Sequence, residues 1–403
     1  MIQRNSLGGT AYTVAEVDGV RHIFASACPR NDKDLAAQTR DAVATLAAIF
    51  EKEGASDSVV RQGVFLRHVE HVDECRQIVG QCYGDALPAT TYIPQPPCNG
   101  KLLAVEAMAM VGVGDRVQVE RHSEHSVVTR CDGVSWLHNS HVAPTVSAPH
   151  LYDRSIDCFK QLHGRLADHK VRFDQIVRTW LYLGDIVGPE GKTQRYKELN
   201  RARTDFYLDI PFGTEHLPSG IEGPVYPAST GIGTDGDDLI VSCMALATRR
   251  NDVRLVALEN PQQTSAFEYE YTYGQRRPRF SRAMVVASGP YATTFISGTA
   301  SITGSETQHP GDVAAQTQQT FDNIEALIGE PNFAQHGLPG RGATLRDLAL
   351  VRVYIKRQDD YPAVRAICES RLGEVPTVYA VADVCRPDLL VEVEGLAFSR
   401  ATG

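Results

Sequence analysis

The 403-residue chain passes through the same order of signals three times. This internal repeat constrains the fold more than any other feature, because it sets both the unit that must fold and how often it occurs. Each copy opens with a short apolar strand ending in small residues: IFASA (23–27), WLHNS (136–140) and TFISGTAS (294–301). Apolar residues at helical spacing follow, over 36–54, 152–170 and 312–329. Next comes a β-type run (59–69, 175–186, 348–357) and a second helix (73–84, 192–207, 361–373). A Pro-led segment (87–93, 226–233, 375–384) and a final strand (102–111, 238–247, 389–398) complete each copy. The pattern predicts an α+β protein of three tandem ββαβαβ units over 1–120, 121–255 and 256–403, with helices on one face of each sheet. The other sheet face is also rich in Val, Ile, Leu and Phe, so it needs a cover. Three sheets covering one another, as a pseudo-trimeric barrel within one chain, meet that need. Apolar residues ahead of the first strand in copies two and three fit a leading hairpin. Segment 260–280 reads as an extended connector, and the Gly-rich 333–347 as a surface loop.

Composition narrows the function. The net charge is −9, from 40 Lys and Arg against 49 Asp and Glu, which argues against a nucleic-acid partner and its basic face. No apolar run reaches membrane-spanning length, and the opening residues lack the apolar stretch of a signal peptide. Nine cysteines, an odd number with no CxxC, fit reduced thiols in a cytoplasmic protein. His122 and His125 in RHSEHS, and His138 and His141 in HNSH, lack a cysteine or carboxylate at metal-ligand spacing, so no metal site is expected. No phosphate-binding glycine loop or nucleophile motif occurs.

The strand LLVEVEGLAF places Glu392 and Glu394 on one face, since residues two apart in a strand point the same way. They form either an acid site or a half-exposed strand with two solvated carboxylates. The repeat, with QTRDA, GAS and a final VEA or VEVEG strand, resembles the YjgF type of reactive-intermediate deaminase. Members of that family are homotrimers with ligand clefts between subunits. PRFSRAMVVASGPYATTFISGTASITGSETQHPGDVAAQTQQTFDNIEALIG (278–329) and VPTVYAVADVCRPDLLVEVEG (375–395) resemble the chorismatase family, as does the run RTWLYL, QRYKELNRARTDFY, YPASTGIG within 178–233. This resemblance covers about residues 130–403, and residues 1–120 read as an additional deaminase-type domain that typical members lack.

The chorismatase resemblance implies a site in the third unit that uses neither metal nor cofactor. It implies removal of the enolpyruvyl group of chorismate as pyruvate, leaving a dihydroxycyclohexadiene carboxylate or 3-hydroxybenzoate. The partner would be a small anionic cyclohexadiene or aromatic carboxylate, and a homo-oligomer is compatible with it. By placement, Glu392 matches the family's proton donor, and Glu394 the glutamate that deaminases carry on their last strand. Breaking an enol ether by protonating its carbon needs a carboxyl of raised pKa, which burial supplies. A dianionic substrate needs cations: Arg279 and Arg282 in PRFSRA, Arg352 and Lys356 in VRVYIKR, and Arg386 are the candidates, each also readable as a surface charge. Tyr273 and Tyr354 offer hydroxyls, or are core tyrosines. Gly298 and Cys385 fall on two pocket positions that vary within the family, and this pair matches its 3-hydroxybenzoate-forming members. Alternatively, Gly298 marks a bulge and Cys385 is a small buried residue.

Deaminase chemistry is not expected. The arginine that follows the proline by two residues in that family is replaced by Thr90, Ser229 and Val378. Ser242 stands where the other copies have Glu106 and Glu394, so the second unit's cleft reads as structural. The rival reading of the whole chain is a scaffold without catalysis that binds an aromatic carboxylate or a partner protein.

Overall fold

A computed structural model describes residues 2–213, 224–268 and 276–401. Three six-stranded sheets organise it. The first holds β1 (Ile2–Leu7), β2 (Thr10–Val17), β3 (Val20–Ala27), β4 (Val59–Leu66), β5 (Ala89–Ile93) and β6 (Leu103–Gly112). The second holds β7 (Gln118–Ser123), β8 (Ser126–Cys131), β9 (Val134–Val142), β10 (Ile176–Gly184), β11 (Ala228–Thr234) and β12 (Leu239–Thr248). The third holds β13 (Val253–Leu258), β14 (Ala283–Ser288), β15 (Tyr291–Ala300), β16 (Leu348–Ile355), β17 (Thr377–Val381) and β18 (Val391–Arg400). In every sheet the spatial order is first, second, third, sixth, fourth, fifth strand. Only the fourth and fifth strands run parallel. A parallel pair needs a crossover, and a helix between those strands supplies it each time: α2 (Val72–Tyr83), α4 (Arg195–Tyr207) or α7 (Tyr361–Leu372). The other long helices, α1 (Leu35–Lys52), α3 (Leu151–Asp168) and α5 (Val313–Ile328), follow the third strand of their sheets. Asp34 and Asp312 cap α1 and α5, accepting hydrogen bonds from the Ala37 and Ala315 amides at 2.8 and 2.9 Å.

Each copy is therefore βββαβαββ, with two more strands than ββαβαβ. The Pro-led segment forms the parallel edge strand, and the outermost leading strands β1 and β7 were hidden from periodicity because they are polar, partly exposed edges. The 333–347 stretch is also more than a surface loop. A short helix, α6 (Glu330–Gln335), leads into it, and Phe333, Leu338 and Leu345 are buried in the third sheet's core.

Alternation along the strands divides the apolar residues between two layers. Ile23, Leu181 and Val353 pack under the helices of their own sheets. Phe24, Trp180, Tyr182 and Tyr354, their neighbours in sequence, join one central cluster drawn from all three sheets. The sheets thus cover one another's inner faces. Backbone hydrogen bonds stitch every seam: Thr90 N to Glu124 O (2.9 Å) between the first and second sheets, Ser281 N to Pro227 O (3.2 Å) between the second and third, and Cys98 N to Tyr379 O (3.0 Å) between the third and first. No helix among the described residues is long and apolar enough to cross a membrane.

Candidate active site

A cavity of about 550 Å³ opens where the second sheet meets the third. Glu392, near the start of β18, forms part of its wall and is 4% exposed. Burial, with the charge of Glu394 nearby, raises its pKa to about 8, although Arg178 and Arg282 pull the other way. The carboxyl therefore keeps its proton through neutral pH.

Gly298, on β15, lies directly against this acid. A Cβ there would collide with Glu392 Oε1 and stand 2.8 Å from its Cδ. The room that Gly298 leaves is occupied by the carboxyl itself. The Gly298 amide donates to Thr230 Oγ1 at 2.9 Å, tying the third sheet to β11. Cys385 and Arg386 reach the cavity from the loop ahead of β18. Burial raises the Cys385 thiol to about 12, with Glu392 adding to the shift, so it is a neutral contact group and not a thiolate. Arg386 Nη1 donates to Ser305 O at 2.8 Å. Gln316 of α5 holds the same loop, donating to Asp388 O (2.9 Å) and accepting from Leu390 N (2.8 Å). Arg282 also lines the cavity, its Nη2 donating to Thr264 O at 2.9 Å.

The second unit supplies another part of the lining, from α4 and β11. Tyr196, Asn200 and Arg203 occupy one face of α4, four and three residues apart, and all reach the cavity. Arg203 is buried; its Nη2 donates to Asn200 Oδ1 (2.6 Å) and its Nη1 to Ser229 Oγ (3.3 Å). Sequence reasoning passed over these residues. The signal was present in QRYKELNRARTDFY, as a polar stripe at helical spacing on a helix that also buries Leu199 and Ala202.

Several predicted residues lie elsewhere. Glu394 does not line the cavity. Arg178 Nη2 and Trp180 Nε1 both donate to it at 2.7 Å, and Arg352 Nη1 stands 3.1 Å away. Burial pushes its pKa up, but these partners outweigh burial and leave it below the usual carboxylate value. Arg352 is committed to this network through Glu106 and Tyr182. Tyr354 is fully buried on the strand face that joins the central cluster. Lys356 donates to Pro387 O (2.9 Å) and so braces the Cys385 loop from behind. Arg279 stacks over the Tyr226 ring at 5.5 Å. Tyr273 lies outside the described residues. Arg352 and Tyr354 share the inward face of β16, where Arg352 meets Glu106 and Tyr182 from the other two sheets.

The assembled geometry is a protonated, buried carboxyl facing a cavity bordered by Arg203, Arg282 and Arg386. It can bind a small polyanion and give a proton to it.

No family model matches the chain. Over 230 residues it is 35% identical to a 3-hydroxybenzoate synthase of Streptomyces hygroscopicus, a match covering 56% of this chain and 64% of that relative. A chorismatase of Streptomyces rapamycinicus is 39% identical over 230 residues, with the same coverage. The chain thus spans less than two thirds of the length of these curated relatives. A crystal structure of a chorismatase matches with a TM-score of 0.67 at 24% identity, covering 95% of this chain and 99% of the other. A match of that extent runs into residues 1–120, so in fold the leading unit has a counterpart there. The chain has the chorismatase fold, and over a little more than half its length its sequence is similar to chorismatases and a 3-hydroxybenzoate synthase.

Proposed function

We propose that this chain cleaves the enol ether of chorismate, or of a close enolpyruvyl cyclohexadiene carboxylate, and releases pyruvate. The observation that carries this reading is Glu392: a carboxyl with its pKa at about 8, buried in the wall of a cavity bordered by arginines. The similar chorismatases and 3-hydroxybenzoate synthase support it. Arg203, Arg282 and Arg386 anchor the two carboxylates, and Glu392 protonates the enolpyruvyl methylene carbon to form an oxocarbenium ion. Burial favours this step because the neutral acid is already the stable form. Capture by water and collapse of the hemiketal give pyruvate and a dihydroxycyclohexadiene carboxylate. Aromatisation to 3-hydroxybenzoate and pyruvate consumes no net water. The Gly298 and Cys385 pair favours the second outcome, with the neutral thiol contacting the ring.

We also read the architecture as three tandem units, 1–120, 121–255 and 256–403, set as a pseudo-trimer within one chain. The identical strand order and the shared central cluster support this reading.

The test is Glu392→Gln, with pyruvate measured after incubation with chorismate. Release should fall by at least ~10²-fold, in keeping with loss of a general acid, while the melting transition persists. Undiminished release would remove Glu392 from the chemistry. Binding of chorismate with no pyruvate from the parent protein would favour the scaffold reading.

A further inference from the structure

Behind the cavity, five buried charges form a chain that crosses all three sheets. Arg178 Nη2 holds Glu394, and Glu394 meets Arg352 at 3.1 Å. Arg352 Nε donates to Glu106 Oε2 at 2.9 Å, and a second short contact joins Arg352 Nη2 to Glu106 Oε1. Arg61 Nη1 lies 3.9 Å from Glu106 Oε1, and its guanidinium rests over the Trp180 ring at 3.8 Å. Arg61 and Glu106 belong to the first sheet and border a separate hollow of about 40 Å³, away from the cavity of Glu392. Three cations stand against two carboxylates. Arg61 is the loosest member, since its Nε and Nη2 have no hydrogen-bond partner among the described residues.

We propose that Arg61 and Glu106 are positioning residues for Glu392: acting through Arg352 and Glu394, the first sheet sets the field in which the acid holds its proton. This rests on the reading of Glu392 as the acid. Glu394 is the link. It sits two residues from Glu392 on the same strand face, and its carboxylate stays ionised only because Arg178, Trp180 and Arg352 hold it there. The other charged and titratable groups that line the cavity with Glu392 are Tyr196, Lys197 and Arg203 from α4, Arg282 ahead of β14, Glu306, and Cys385, Arg386 and Asp388 from the loop before β18, with Arg178 of β10 also acting on it. Of these, only Arg178 belongs to the network. A change of charge in a partly screened interior shifts the proton affinity of a group in its field by roughly half to one pH unit. Removing the Arg61 cation therefore strengthens proton binding by Glu392. Removing the Glu106 carboxylate exposes Arg352 and Arg61 and weakens it.

The experiment is the pH dependence of kcat/KM for pyruvate release by the full chain carrying Arg61→Met or Glu106→Gln. The alkaline limb should move up by about half a unit or more in Arg61→Met and down by a similar amount in Glu106→Gln, with KM at pH 6 nearly unchanged. Arg61→Lys should restore the parent limb. Arg61→Met exchanges a weakly partnered buried charge for an apolar side chain of similar length, so it tests the inference even where Glu106→Gln fails to fold. Limbs that stay put in the folded variants, or that move the same way in both, overturn the proposal. Those results leave the acid assignment standing if Glu392→Gln is inactive; an active Glu392→Gln removes both.

Discussion

Two seams of this molecule share one frame and differ in what fills it. At the second-to-third seam, Glu392 pairs in register with Tyr354, and Gly298 precedes the Thr299–Val393 pair. At the first-to-second seam, Ile240 pairs with Tyr182, and His141 precedes the Val142–Val241 pair. The acid is thus replaced by an isoleucine and the glycine by an imidazole. His141 stacks on His125 at 5.5 Å and meets Tyr92 edge-on at 6.2 Å, with the Arg76–Glu124 ion pair beside them. One seam holds an open cavity bordered by charged side chains, whereas the other is filled with rings. The repeated fold supplies a frame, and a few side chains decide which seam keeps a cavity and which is filled.

The largest expected difference between the seams is the loss of pyruvate release in Glu392→Gln. It has a thermodynamic companion. Because the folded carboxyl titrates at about 8, above its unfolded value, the stability it contributes is fully present below the unfolded value. That stability is lost as pH rises through 8. Thermal melts of Glu392→Gln should therefore show a flatter decline between pH 5 and pH 8 than those of the parent.

Arg203→Met should come next. It removes a buried fork bordering the cavity, and kcat/KM should fall by roughly 10- to 100-fold, chiefly through KM. A change confined to melting temperature would make Arg203 structural only. Gly298→Ala is smaller and more specific. Its methyl displaces the Glu392 carboxyl, so kcat should drop about tenfold with KM nearly constant. An unaltered kcat would show that the acid tolerates the shift. The smallest effect belongs to the filled seam. His141 has φ of +53°, a conformation that favours glycine, so His141→Gly relieves backbone strain while losing ring contacts. Its stability should change by no more than ~1 kcal/mol, and pyruvate release should not change. Altered turnover in that variant would couple the two seams and break the contrast.

Much of the fold was legible before coordinates. Helix 36–54 appears as Leu35–Lys52, and strand 389–398 as Val391–Arg400. These elements are strongly periodic because each buries one face. The polar edge strands β1 and β7 were not legible, since pairing within a sheet holds them and not apolar patterning. In the site, Glu392, Gly298, Cys385, Arg282 and Arg386 meet around one cavity. Arg203 was missed and Arg352 misplaced, for one reason: a charged residue on a strand or helix has a face in the sequence, but what that face meets is supplied by another unit.

By itself the sequence determined the threefold repeat, the two-layer division of apolar residues and the pair of glutamates two residues apart, because these depend on local periodicity. Only the tertiary structure decided that one glutamate is neutral and the other ionised. The desolvation of Glu392 and the guanidinium groups around Glu394 come from segments as much as 216 residues away, and proton affinity is set by charges in space, whatever their order along the chain.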